Sequence, residues 1–175
     1  MKKTSWRLTL SWNYENESKW LNEMSDKGWQ LEKPGLFRYT FVQGEPGKYR
    51  YDMEYLDANG EKRKEYFAFL EETGIEIVGQ LGNWAYYRKP DNGKPFAIFS
   101  DTASKIAHYK RILLFLLIIT PLEAWFMAKS WVEVYRGTHD ASDMAMVILL
   151  TLAVVLLASG ILHLLRRIAT LSKNG

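Results

Sequence analysis

The stretch MAMVILLTLAVVLLASGILHLL, residues Met144–Leu165, contains no Asp, Glu, Lys or Arg. A helix needs about 20 apolar residues to cross roughly 30 Å of hydrocarbon, so this stretch predicts a transmembrane helix. A second apolar stretch, Ile112–Ala128, precedes it and contains Pro121 and Glu123. The C-terminal part of the chain is therefore predicted to be a hairpin of two membrane-spanning helices.

Basic residues flank this hairpin at its two outer ends. They are Lys105, Lys110, Arg111, Arg166, Arg167 and Lys173. Because Lys and Arg concentrate on the cytoplasmic side of membrane helices, we expect a cell-membrane protein with two spans and both termini in the cytoplasm. The predicted segments are a first span at 107–132, a short outer loop at 133–143, a second span at 144–167 and a cytoplasmic tail at 168–175.

Glu123 is the unusual residue of the first span. A carboxylate inside the bilayer costs roughly 2.5–3.5 kcal/mol on insertion scales, which makes it a hypothetical functional site. Counting helix rise from the ends of the spans places Glu123 at the depth of Thr151, so Thr151 is its candidate partner. Two interpretations stay open. Glu123 either binds a proton, a cation or a basic partner, or it is protonated and hydrogen-bonds a neighbouring helix.

Residues 1–90 predict a cytoplasmic domain of mixed α and β structure. Trp6–Trp12 and Tyr49–Leu56 alternate apolar and polar residues, which is typical of half-buried strands. A helical pattern follows each strand, and each predicted helix ends at a glycine, Gly28 or Gly74. Residues 91–106 contain turn-forming residues and predict a linker that rests either on the membrane or on the domain.

The two halves of this domain repeat one another. Gly28-Trp29-Gln30-Leu31 corresponds to Gly74-Ile75-Glu76-Ile77, and Gly35-Leu36-Phe37-Arg38-Tyr39 corresponds to Gly82-Asn83-Trp84-Ala85-Tyr86. Each half contains a strand, a helix and a long strand with a glycine break, which we interpret as a bulge. Two such halves predict an α+β fold, a ferredoxin-like βαββαβ domain with one antiparallel sheet.

This topology makes the first and third strands neighbours at the centre of the sheet. Their apolar side chains are expected to pack against the helices. The opposite face is expected to be charged, and we assign a candidate partner-binding face to Arg7, Arg50, Asp52 and Glu54. A solvated ladder of ion pairs is the alternative. RNA binding is disfavoured, because RNA-recognition motifs carry stacking aromatic residues on this face.

Catalytic and metal-binding motifs are missing from the sequence. The chain has no cysteine, and His108, His139 and His163 lack the spacing of metal ligands. Residues 1–104 have a net charge of −1, so the basic balance comes from the membrane flanks and does not indicate nucleic-acid binding. We therefore expect no enzyme activity, no cofactor and no metal site.

The pattern W-x-x-E-x-E-x-x-W-L-x-x-M-x-x-x-G-W occupies Trp12–Trp29, and Phe37, Arg38 and Tyr39 extend it. With these residues, the chain from about residue 7 to 90 resembles the DUF2812 family, a bacterial domain of unknown function. Members typically carry C-terminal transmembrane helices and are often encoded beside a PadR-type transcriptional regulator. The resemblance therefore implies membrane-linked sensing or regulation with such a regulator as partner. It implies no catalytic residues.

The leading hypothesis is a membrane-tethered regulatory, adaptor or sensory module that binds a protein partner or a small ligand through its cytoplasmic domain. Small residues in both spans also permit a homodimer. The alternative is a small subunit of a membrane transporter or an envelope-stress component, with Glu123 as the working residue. Ligand sensing would need a cavity near Trp12, Trp29 or Trp84, whereas a fully packed core there would argue against it.

Overall fold

The computed structural model describes residues 1–9, 11–56, 60–99, 102–137 and 140–174, so that Leu10 and His139 lie outside the described residues. The chain divides into two units, Met1–Ser100 and Asp101–Gly175. The elements of the first unit are β1 (Lys2–Trp6), a 3-10 helix (Ser11–Asn13), α1 (Tyr14–Asp26), β2 (Trp29–Lys33), β3 (Arg38–Gln43), β4 (Tyr49–Tyr55), α2 (Glu61–Glu72), β5 (Glu76–Leu81) and β6 (Trp84–Pro90). The second unit contains α3 (Thr102–Tyr135) and α4 (Ala141–Asn174).

The described strands form two separate antiparallel sheets of three strands each. Sheet A has the order β1-β3-β2, and sheet B has the order β4-β6-β5. The α+β class is thus confirmed, and each half of the repeat is a βαββ unit. The prediction of a ferredoxin-like βαββαβ domain with a single sheet is not confirmed. Each half contains one strand more than predicted, and the described strands form two sheets.

The extra strands arise at the two glycine breaks. Residues 34–37 connect β2 to β3, and Gly82-Asn83 connects β5 to β6, so each predicted long strand is a hairpin. Pro34 has no N–H group for a ladder, and Gly82 adopts a φ of 58°, which suits a tight turn. Irregularities of strand register, as a bulge would produce, occur before the two glycine breaks. One lies between Leu31 and Lys33, and the other lies at the corresponding position of the repeat, between Ile77 and Gly79.

The first strand also differs from its prediction. It ends at Trp6, occupies an edge of sheet A and pairs with β3, whereas β4 belongs to sheet B. Trp6 and Leu8 are exposed and do not pack against a helix. The alternation of apolar residues from Trp6 to Trp12 favours a strand, but a strand also needs a pairing partner. The chain instead enters the 3-10 helix at Ser11.

Helix α1 covers the free edge of β4. The Asn22 side chain accepts a hydrogen bond from the Tyr51 N–H at 2.8 Å and donates one to the Tyr51 carbonyl at 2.9 Å. Ser25 Oγ donates to the Tyr49 carbonyl at 2.7 Å. These contacts satisfy backbone groups that an open sheet edge would expose. The main core therefore lies between α1 and the inner faces of the two sheets, around Leu21, Leu31, Tyr39, Phe41 and Met53.

A second core lies between α2 and sheet B. It contains Leu56, Leu70, Ala85 and Tyr87, all of them buried. Phe96 and Ile98 from the predicted linker pack against it, so this segment contacts the domain. Consecutive residues of a strand point to opposite faces, and Ala85, Tyr86 and Tyr87 are all buried. Sheet B is therefore covered on both faces along β6.

The second unit consists of α3 and α4, each 34 residues long. Both are long and apolar enough to cross a membrane, by length and composition. The Asp140 carboxylate accepts hydrogen bonds from the N–H groups of Ser142 and Asp143, at 2.8 and 3.0 Å, and so caps the start of α4. Both helices extend beyond the predicted spans.

Candidate functional site

Glu17 places a carboxylate in the main core of the first unit. It belongs to the face of α1 that also carries Tyr14, Leu21 and Met24, spaced as neighbours on one side of a helix. Only 4% of its surface is exposed. A buried carboxylate is costly unless hydrogen bonds satisfy it, so its partners decide whether the fold tolerates it.

Tyr39 and Tyr86 supply those hydrogen bonds. The Tyr39 hydroxyl donates to Glu17 Oε1 at 2.6 Å, and the Tyr86 hydroxyl donates to the same oxygen at 2.8 Å. The two tyrosines occupy corresponding positions of the sequence repeat, one on β3 of sheet A and the other on β6 of sheet B. Glu17 therefore connects the two halves of the domain through one carboxylate oxygen.

Both phenols are held in their protonated form. Burial raises the pKa of Tyr39 to about 12, and the hydrogen bond to Glu17 acts in the same direction. Burial and the negative charge of Glu17 also raise the pKa of Tyr86. Thr9 Oγ1 lies 3.0 Å from the Tyr39 hydroxyl and completes its hydrogen bonding. The two tyrosines thus act as donors to Glu17 throughout the neutral pH range.

A small cavity of about 60 Å³ adjoins this cluster. Its lining includes Glu17, Tyr14, Met53 and Trp84. The rings of Tyr14 and Trp84 lie 5.8 Å apart, centroid to centroid. A buried water needs roughly 10–15 Å³ on this measure, so the cavity has room for about four waters or an equally small group. The hypothesis of ligand sensing predicted a cavity near Trp12, Trp29 or Trp84, and Trp84 lines this one.

Both tyrosine hydrogen bonds use one oxygen of Glu17. Among the described residues, Tyr39 and Tyr86 are the donors to Glu17, and both bind Oε1. Glu17 also lines the cavity, and neither of these two tyrosines binds its Oε2. A carboxylate oxygen beside aromatic rings suits a hydrogen-bond donor, above all a positively charged one.

Glu54 is a second buried carboxylate with two tyrosine partners. Glu54 accepts hydrogen bonds from the Tyr66 hydroxyl at 2.9 Å and the Tyr87 hydroxyl at 3.3 Å. Burial and the charge of Glu54 raise the pKa of Tyr87. Glu54 is absent from the residues that line the Glu17 cavity. The two clusters have the same chemistry, and the cavity of about 60 Å³ adjoins the one at Glu17.

The four residues of the predicted partner face do not form one exposed surface. Arg7 follows β1 of sheet A, and its guanidinium lies 4.9 Å from the centre of the Trp20 ring. Arg50 pairs with Asp26 and Asp91 at 2.9 and 2.8 Å.

Of the other two residues of that face, Asp52 is half-buried and Glu54 is buried. Asp52 accepts hydrogen bonds from Ser18 Oγ and from the Ile98 N–H, and burial raises its pKa. Glu54 is buried, because α2 and its tyrosine partners cover that side of β4. Asp52 and Glu54 belong to β4 of sheet B, and other parts of the folded chain cover them. The predicted charged surface is therefore not formed.

In the second unit, Thr151 has a different partner from the predicted one. The Trp131 indole N–H donates to Thr151 Oγ1 at 3.1 Å, and this hydroxyl donates to the Val147 carbonyl at 2.8 Å. Trp131 lies eight residues beyond Glu123, or about 12 Å along α3. In the structure, Thr151 of α4 therefore lies beside Trp131 of α3. Counting residues from the ends of the predicted spans had placed it beside Glu123. Glu123 itself is half-buried.

Glu17, Tyr39 and Tyr86 were not predicted as site residues from the sequence. Two signals pointed to them. Glu17 lies three residues after Tyr14 and four before Leu21, so a carboxylate occupies the apolar face of α1. The repeat aligns Tyr39 with Tyr86, which places two phenols at related positions of the fold.

No curated relative and no solved structure matches the chain. The family model described as a protein of unknown function, DUF2812, matches residues 13–120. The matched region contains Glu17, both of its tyrosine partners and the first part of α3. Because the match spans more than half of the sequence and agrees with the resemblance found in its motifs, the chain belongs to the DUF2812 family.

Proposed function

We propose that this protein is a membrane-tethered, non-catalytic sensory module, and that its first unit binds a small protonated amine in the cavity beside Glu17. The observation that supports the proposal is the unused Oε2 of a buried carboxylate at the wall of a cavity. The two tyrosine donors already satisfy Oε1. An ammonium group would supply the hydrogen bond and the opposite charge that Oε2 lacks.

The shape and the lining of the cavity support the same ligand class. Trp84 and Tyr14 present aromatic rings, which attract a cation electrostatically in addition to the carboxylate. Met53 adds an apolar wall for a short alkyl chain. The volume of about 60 Å³ restricts the guest to a few non-hydrogen atoms, or to the amino end of a larger molecule.

The position of Glu17 offers a way to report binding. Its carboxylate receives one hydrogen bond from sheet A and one from sheet B. A ligand that engages Oε2 changes the charge distribution at the link between the two sheets. Ligand binding shifts a conformational equilibrium when it favours one arrangement over another. In this proposal the arrangement of the sheets is the signal, and a protein partner, such as a PadR-type regulator, receives it.

The second unit is proposed to hold this module at the cell membrane. The two long apolar helices support membrane association. The basic residues outside them and the acidic character of their connection support two spans with both termini in the cytoplasm. Small residues in both helices support close packing and a homodimer.

Binding of ethylammonium to the full-length protein in detergent micelles tests the cavity. We expect a saturable change in tryptophan fluorescence with ethylammonium, and a much weaker one with ethanol, which has a similar size and no charge. Glu17→Gln should abolish the ethylammonium response. Glu54→Gln is the matched control, since it neutralises the other buried glutamate that binds two tyrosines, and it should retain the response. Equal responses in the wild type and Glu17→Gln would contradict the proposal.

A transporter or envelope-stress role with Glu123 as the working residue is the second candidate. It rests on a half-buried carboxylate within an otherwise apolar part of α3. In that case Glu123→Gln should abolish transport or the stress phenotype, and Glu17→Gln should have no effect on either.

A further inference from the structure

Four large apolar side chains are exposed at one end of sheet A. Their exposed fractions are 72% for Trp6, 71% for Leu8, 63% for Leu36 and 43% for Phe37. We call these four residues the Trp6 patch. Isolated exposed apolar residues are ordinary, whereas a contiguous group of them marks an interaction surface.

The backbone places the two segments that carry the patch next to each other. Trp6 lies opposite Arg38 in the register of β1 and β3. One residue further, the Arg7 N–H donates a hydrogen bond to the Phe37 carbonyl at 3.0 Å. The end of β1 and the connection between β2 and β3 therefore lie side by side, and they bring the apolar residues of both segments together.

Basic side chains accompany the patch. The guanidinium of Arg38 lies 6.0 Å from the centre of the Trp6 ring, and Arg38 is exposed. The exposed Lys33 precedes the β2–β3 connection and adds a second positive charge beside the patch. The segments Trp6–Leu8 and Lys33–Arg38 contain no Asp or Glu. Residues 1–104 are almost neutral, so this positive charge is a local feature of the surface.

We propose that the Trp6 patch docks on the headgroup region of an anionic lipid bilayer. Trp and Phe favour the boundary between water and hydrocarbon, and Arg and Lys bind anionic headgroups. The inference rests on the proposed membrane insertion of α3 and α4. Two residues separate Phe99 from Thr102, where α3 begins, and so short a tether keeps the first unit at a high effective concentration near the bilayer.

The absence of cysteine from the chain permits a direct test with single labels. Three variants of the full-length protein carry an environment-sensitive fluorophore: Leu8→Cys in the patch, Lys62→Cys on the exposed side of α2, and Val155→Cys within α4. Each is reconstituted into vesicles of phosphatidylcholine, alone or mixed equally with phosphatidylglycerol. Lipids with a quencher near the headgroup or in the acyl chain then report contact with the bilayer.

We expect the Leu8 label to be quenched by headgroup quenchers several-fold more strongly in the anionic vesicles than in phosphatidylcholine. The Lys62 label should be quenched weakly in both. Replacing Lys33 and Arg38 by Gln in the Leu8→Cys chain should remove the difference between the two lipid compositions. Quenching of the Val155 label by acyl-chain quenchers establishes in the same samples that the helices are inserted.

The outcomes separate the docking surface from the tether. If the Val155 label is quenched and the Leu8 label is not, the docking proposal is overturned and membrane insertion stands. Equal quenching of Leu8 and Lys62 would also overturn it, because contact would then be unspecific. If the Val155 label shows no quenching by acyl-chain quenchers, both the tether and the docking surface are wrong.

Discussion

Tyr39 and Tyr86, which come from different sheets and from corresponding positions of the repeat, donate hydrogen bonds to the same oxygen of Glu17. This shared acceptor makes the buried carboxylate compatible with the core, and Glu17 also lines a small cavity. The stability of the domain and the proposed ligand binding therefore depend on the same three side chains.

Tyr86→Phe should destabilise the first unit by about 1–3 kcal/mol, because a buried carboxylate loses one of its two donors. The measurement is chemical unfolding of the full-length protein in detergent, followed by tryptophan fluorescence. Tyr55→Phe is the control, since the Tyr55 hydroxyl accepts a 3.3 Å hydrogen bond from Asn83 at an exposed site. It should cost much less. If the two variants lost similar amounts of unfolding free energy, the hydrogen bond from Tyr86 to Glu17 would contribute no more to stability than an exposed one.

Alkaline pH should weaken the fold through Tyr39. Its pKa is about 12 in the folded protein, above the value of about 10 for an unfolded tyrosine. Below pH 10 both states keep the proton and the contribution is fully present. Between about pH 10 and 12 the unfolded chain ionises first, so stability falls as the pH rises.

The measurement for this effect is the free energy of unfolding between pH 8 and the alkaline limit of the experiment. Tyr39→Phe removes the titrating group, so its stability should decline less steeply above pH 10 than that of the wild type. Parallel curves for the two proteins would contradict the assignment.

Gly79→Ala should destabilise the first unit by roughly 1–3 kcal/mol through overpacking. A Cβ atom at Gly79 would lie 2.8 Å from Pro34 Cδ, and neither the proline ring nor the strand backbone yields easily. Chemical unfolding measures the loss. In a Pro34→Ala background the same substitution should cost less, since the obstructing atom is gone. An unchanged cost in that background would place the strain elsewhere.

Glu123→Gln should leave the ethylammonium response of the first unit unchanged. The proposed binding site consists of residues of the first unit, and Glu123 belongs to α3. The fluorescence titration described for Glu17→Gln measures this directly. A lost response in Glu123→Gln with a retained response in Glu17→Gln would move the working residue into the second unit.

Local features of the fold were predictable from the sequence. Helices α1 and α2 follow from their apolar spacing and from Gly28 and Gly74, which adopt φ values of 80° and 78° just after the helix ends. Strand β4 follows from the alternation of its side chains, as does the apolar character of the last two helices. These properties depend on residues that are close in sequence.

Pairing between distant segments was not predictable in the same way. A glycine break inside an apolar strand pattern is compatible with a bulge and with a hairpin, and at Gly35 and Gly82 the available partner strands select the hairpin. Trp6 and Leu8 have the pattern of a core strand, yet they are exposed, because β1 pairs at the edge of sheet A. The same applies to Thr151, whose partner is chosen by the packing of α4 on α3.

Sequence patterns were sufficient to predict the α+β class, the repeat, the two long apolar helices and membership of the DUF2812 family. Each of these depends on local periodicity or on a motif within one continuous segment. The three-dimensional packing was needed to show that Glu17 is buried, that two tyrosines share one of its oxygens and that Glu17 lines a cavity. The physical reason is that burial and hydrogen-bond partners depend on segments that meet in space, and the spacing of residues along the chain does not specify which segments meet.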